Sequence, residues 1–139
     1  MAADADDSTS RGETGHLGQV AVGHHARGIS IVTMRGEHDL STHPVLARAL
    51  ALAAAHSNVV IDLTECSFID SSVIQEFVRT SKTVSAKGES VLLVIPPEQQ
   101  AVSRVAGMTG LAHIFELHAT KDAALASLET ATRADHQDS

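Results

Sequence analysis

The sequence predicts a single α/β domain: a mixed sheet of four to five strands with helices packed mainly on one face. Three observations carry this. Strand-like and helix-like patterns alternate along the chain in the order β-β-α-β-α-β-α-β-α, which implies parallel crossovers after an amino-terminal hairpin. Two short runs, 59–63 and 91–95, are almost wholly aliphatic, as strands covered on both faces are. The composition is 43% hydrophobic but only 2% aromatic, with no Trp and no Tyr, so the core must be built from Val, Leu, Ile and Ala.

The elements follow in order. Residues 20–24 read as a weak strand and 29–34 as a stronger one that ends at Gly36. Residues 41–56 read as a helix: Ser41 is a candidate N-cap, Pro44 fits the first turn, and Leu46, Leu50 and Ala53 recur at helical spacing. Strand 59–63 is followed by an expected loop, 64–70. A second helix is expected over 71–87, with Ile74, Phe77, Val78 and Val84 on its apolar face and Gly88 as its cap. The strand at 91–95 leads to a helix opened by Pro97 and ending near Gly107 or Gly110. A short strand at 114–117 and a helix at 120–132 complete the domain, expected over 17–132. The flanks, 1–16 and 133–139, are polar and acidic. They offer too little apolar surface to offset their ordering entropy and read as disordered tails.

Charge and composition exclude several functions. The net charge is −7. An acidic surface without a cluster of Lys and Arg repels phosphate backbones, and the lack of aromatics removes the stacking platforms of single-strand binders, so direct nucleic-acid binding is not expected. No apolar run approaches the roughly 18 residues of a membrane span, and the acidic start is the opposite of a secretory signal. No membrane insertion is expected, and the expected location is cytoplasmic. The one cysteine, Cys66, leaves no partner for an intramolecular disulfide.

Catalytic motifs are missing: there is no Gly-x-Ser-x-Gly elbow, phosphate-binding Gly-rich loop or Gly-x-Gly-x-x-Gly. Nine histidines raise a metal reading, and His38 and His43 fall close enough to meet, but no closed ligand set is visible. No metal, no cofactor and no enzymatic activity are expected. The segment that stands out is Ser67-Phe68-Ile69-Asp70-Ser71-Ser72, where two apolar residues lead into Asp-Ser-Ser and a helical pattern begins at once. Ser72 with Gln75 fits the spacing of a capping box, a common structural device. The same placement leaves Ser71 open to modification at a helix start, where a phosphate would add about −1.5 to −2 charge.

Three motifs, in register, resemble a known family. Gly36-Glu37-His38-Asp39-Leu40-Ser41-Thr42 is similar to the Gly-Glu-Leu-Asp-Leu pattern of STAS-domain anti-sigma factor antagonists. The stretch from Val60-Ile61-Asp62-Leu63 to Phe68-Ile69-Asp70-Ser71-Ser72 resembles their third strand and phosphorylation loop. Met108-Thr109-Gly110-Leu111 resembles the Thr/Ser-Gly-Leu after their third helix. The resemblance covers about 19–132 and implies a STAS-like α/β fold. It also implies an antagonist that binds an anti-sigma serine kinase of the GHKL type, releases a sigma factor, and is switched by phosphorylation of Ser71, with Ser72 the second choice. A serine phosphatase would reverse the mark. The partner surface implied includes Glu37, Asp39, Ser41, Asp70, Ser71, Ser72, Gln75, Glu76 and Arg79.

One departure is that Val73 and Ile74 stand where the family has Gly-Leu, and the stiff, β-branched valine is expected to add bulk beside the docking site. Two other assignments stay open: a STAS subunit of a stress-signalling scaffold or lipid-transport complex, and a small metal-binding protein.

Overall fold

The computed structural model describes residues 18–25, 28–55 and 58–138, the side chains of 131–138 excepted. Five strands form one sheet in the order β1-β2-β3-β4-β5: β1 Gln19–His25, β2 Ile29–His38, β3 Asn58–Ile69, β4 Val91–Val94 and β5 Glu116–His118. β1 pairs antiparallel with β2, and the remaining pairs are parallel. Four α-helices accompany them: α1 His43–Ala54, α2 Ser71–Ser85, α3 Gln100–Thr109 and α4 Lys121–Asp138. Short 3-10 turns occupy Leu40–Thr42 and Leu111–His113.

The placement of helices follows from strand order. The crossovers β2-α1-β3, β3-α2-β4 and β4-α3-β5 all step in one direction across the sheet, and the right-handed rule then puts all three helices on one face. The core confirms it. Leu46 and Leu50 of α1, Val73 and Phe77 of α2, and Val102 and Ala106 of α3 pack with Val32, Met34, Ile61, Leu63 and Leu93. Phe77 is fully buried, and truncating such a side chain costs about 3–5 kcal/mol. α4 follows the last strand, is bound by no crossover, and covers the other face with Ala124, Leu125 and Leu128 against Ile29, Val60, Leu92 and Val94. Because both faces are covered, β3 and β4 carry apolar residues on both sides.

Several boundaries differ from expectation. The segment expected as a loop at 64–70 is strand as far as Ile69, with register shifts between Thr33 and Arg35 and between Gly36 and Glu37 of β2. Tertiary pairing overrides the polar composition there: Cys66 and Ile69 point into the core, which anchors the extension. α1 begins at His43 because residues 40–42 are taken by the 3-10 turn. α4 runs on to Asp138, beyond the expected end at 132, through residues that include the good helix formers Ala134 and Arg133. α3 stops at Gly110, whose φ of 71° is the left-handed cap that glycine favours. The amino-terminal tail, 1–16, lies outside the described residues. Among the described residues no helix is long and apolar enough to cross a membrane.

Candidate functional site

The parallel register sets Glu37 beside Phe68 and His38 beside Ile69, so the two motif segments leave the sheet next to each other. Each then turns on an aspartate. Asp39 Oδ1 accepts from the backbone N–H of Ser41 at 2.9 Å and from its hydroxyl at 2.6 Å. Asp70 Oδ1 accepts from the N–H of Ser72 at 3.0 Å, its hydroxyl at 2.6 Å and the N–H of Val73 at 3.3 Å. Both exploit the preference of aspartate for free N–H groups at a turn or helix start. The Ser41 hydroxyl and N–H hold the exposed Asp39 carboxyl below the usual carboxylate range.

These bonds correct the expected caps. Asp70, not Ser72, is the N-cap of α2, and the Ser72 hydroxyl donates back to it. Ser41 does not cap α1: it lies inside the turn capped by Asp39, and Thr42 precedes α1 with no side-chain cap. The outcome for Ser71 is the same by a different route. Its hydroxyl is absent from the capping bonds, and the residue is exposed at the first position of α2.

Along α2, Ser71, Gln75 and Arg79 are exposed and recur every fourth residue, which places them on one face. Glu76 departs from expectation. It is 5% exposed, and its carboxylate meets His43 Nε2 at 2.8 Å and Arg79 Nη1 at 3.2 Å. It is a tie between the starts of α1 and α2 rather than a surface charge, because the helices pack closely enough to enclose it. Val73 is also a correction: its side chain is fully buried beside Phe77, so it fills core instead of adding bulk to the exposed face.

Beneath the Asp39 turn lies His38, fully buried. Its Nε2 faces the carbonyls of Arg35 at 3.1 Å and Gln19 at 3.3 Å, so that nitrogen carries the proton. In the neutral ring Nδ1 can only accept, and it shares the single proton of the Thr42 hydroxyl, 3.0 Å away, with the Asp39 carbonyl at 3.2 Å. Burial lowers the His38 pKa. The chain entering β1 closes over the ring: a Cβ on Gly18 would stand 2.4 Å from it and 2.6 Å from the Glu37 carbonyl, so only glycine fits. Neither this clamp nor the His43–Glu76 pair was legible in sequence, since both join residues distant along the chain.

His38 and His43 do not share a ligand, and among the described residues no group of three or more His, Cys, Asp or Glu converges as a metal site. His16 and His56 lie outside the described residues. Cys66 is buried, and burial pushes its thiol up to about 11, so it stays protonated at neutral pH.

A family model described as the STAS domain matches residues 22–124. A search of the curated proteins finds no match. Among solved structures, an anti-sigma factor antagonist from Mycobacterium paratuberculosis aligns with a TM-score of 0.69 and 29% identity, covering 81% of this chain and 94% of its own. The unphosphorylated form of the anti-sigma factor antagonist SpoIIAA aligns with a TM-score of 0.69 and 17% identity, covering 81% and 97%. The phosphorylated form of SpoIIAA from Bacillus aligns with a TM-score of 0.62 and 18% identity, covering 79% and 99%. The last two show the common fold. With the motif positions, the sheet order and the family match in agreement, the chain belongs to the STAS-domain family, in the fold of its anti-sigma factor antagonists.

Proposed function

We propose that this protein is an anti-sigma factor antagonist that acts by binding, and that phosphorylation of Ser71 switches it off. The observation that carries the reading is the state of Ser71, exposed at the first position of α2 directly after an aspartate whose Oδ1 accepts from Ser72 and Val73. The partner is an anti-sigma serine kinase of the GHKL type, and a serine phosphatase restores the binding form. In the forward step the Ser71 oxygen attacks the γ-phosphorus of ATP, ADP leaves, and the hydroxyl proton passes to a base of the kinase.

Local electrostatics explain why such a mark would act on the partner rather than on the fold. Asp70 already occupies the helix N-terminus, accepting two of its free N–H groups. A phosphate on Ser71 would meet that carboxylate and be turned outward, adding about −1.5 to −2 charge at the surface. The docking face then comprises Glu37, Asp39 and Ser41 of the first turn with Ser71, Gln75 and Arg79 of α2. Glu76 supports this face from beneath.

The test is phosphorylation by the cognate anti-sigma kinase with ATP, followed by site mapping. Phosphate is expected on Ser71 and lost in Ser71→Ala, which keeps its affinity for the kinase. Ser71→Asp should weaken binding, though less than the phosphate does, since it carries less charge and fewer acceptors. Phosphate on Ser72 alone, or none with the true partner present, would overturn the assignment.

A further inference from the structure

The side of the molecule away from α2 carries an open sheet edge beside an uncovered helix face. β1 is the outer strand, and all seven of its residues pair with β2 in unbroken register, from Gln19 opposite Arg35 to His25 opposite Ile29. Its outer side therefore presents a row of N–H and C=O groups that no strand among the described residues covers. The usual protections of an edge are missing from it: there is no Lys, no Pro and no bulge. Ala21 and Gly23, on the α4 side of the strand, are exposed and small. On the other side, Val22 lines a groove of about 270 Å³ with Pro44, Val45, Arg48, Ala49 and Leu52. Val45 is 58% and Leu52 65% exposed, an apolar ridge with nothing seated on it among the described residues.

Charge selects the occupant. The chain carries a net −7, yet β1 and α1 contain no Asp and no Glu. Two copies meeting through β1 and α1 bring together no carboxylate of either element, and the neighbouring Glu129 of α4 is held by His25 Nε2 of β1 at 3.3 Å. We propose that β1 and the Val45–Leu52 ridge form a homodimer interface in which β1 pairs antiparallel with β1 of a second copy about Val22.

The register follows from symmetry. A two-fold axis through Val22 lets the whole strand overlap: Val22 faces Val22, Val20 faces His24, Ala21 faces Gly23, and Gln19 faces His25. No formally charged residue lies opposite another. Small residues meet on the α4 side, and the two apolar grooves adjoin on the α1 side. The contact is isologous, so it closes as a dimer and does not propagate. The opposite flank of α1 faces Glu76, Arg79 and Thr80 of α2, so each copy keeps its Ser71 face free.

Sedimentation across a concentration series, with hydrogen exchange on the same samples, tests the proposal. The wild-type chain is expected to reach twice the single-chain mass, with the amides of 19–25 gaining protection as the dimer forms. Gly23→Lys suits the test because a Cβ there meets nothing within 4 Å, and Leu52→Glu because the residue is exposed. Each should weaken association by about tenfold or more, with circular dichroism unchanged and melting unchanged at dilutions where the wild-type chain is itself single. A single-chain mass at every concentration would overturn the proposal. So would a dimer unaffected by both variants, or protection of β1 only when a different protein is added.

Discussion

Two turns of this molecule use one local device and rest on different supports. In both, an aspartate Oδ1 accepts the N–H and the hydroxyl of the serine two residues on: Asp39 with Ser41, Asp70 with Ser72. Asp62 repeats the pattern with Thr64 at 3.0 and 2.5 Å. The Asp39 turn sits on polar support, the buried ring of His38 and the Thr42 hydroxyl. The Asp70 turn opens a fifteen-residue helix anchored in the aliphatic core by Val73 and Phe77. The lesson is that the capping motif sets the backbone locally, while what lies beneath it decides stability and sensitivity to pH.

The largest effect should come from the residue that ties the two regions together. Glu76→Lys buries a cation beside His43 and Arg79 and should cost about 3 kcal/mol or more, read by chemical denaturation. A variant as stable as wild type would show that the pair does not join the helices. Asp70→Ala should come next, losing a helix cap at about 1–2 kcal/mol. Asp39→Ala, at a fully exposed carboxylate, should leave the denaturation midpoint nearly unchanged; equal losses would erase the distinction between the turns.

The pH dependence sharpens it further. The folded pKa of His38 lies below its ordinary 6.5, so as pH falls through 6.5 the unfolded chain takes up a proton that the folded chain refuses. The stability contributed by the neutral ring is therefore full above pH 6.5 and declines below it, toward the folded pKa. His38→Leu should flatten this slope, measured as melting temperature between pH 7 and 5. An unchanged slope would place the titration elsewhere. The smallest effect is expected for Ser72→Ala, which removes one hydroxyl bond of 2.6 Å but leaves the backbone donors to Asp70, at about 0.5–1 kcal/mol. A loss as large as that of Asp70→Ala would make Ser72 the principal cap after all.

Much of the architecture was legible because its signals are local. Alternating strand and helix patterns predicted the mixed sheet, and the short aliphatic runs located β3 and β4. The Asp-Ser-Ser segment located the start of α2, with Ser71 exposed as expected. The cap itself was misassigned, since Asp70 and Ser72 are both good capping residues and only the geometry shows which accepts and which donates. The outer half of β3 was missed because its polar residues resemble a loop until Cys66 and Ile69 are seen to be buried.

Sequence by itself therefore determined the elements, their order, the aliphatic core and the exposed serine, all consequences of periodicity and local backbone preference. Tertiary structure alone decided that Glu76 and Val73 turn inward, that His38 is clamped beneath Gly18, and that β1 and α1, neither of which carries a carboxylate, share one open face. Periodicity specifies which side of a helix is apolar. It cannot specify how closely a neighbouring helix approaches, and that distance decides whether a glutamate beside the stripe meets water or a histidine 33 residues away in sequence, as His43 and Glu76 are.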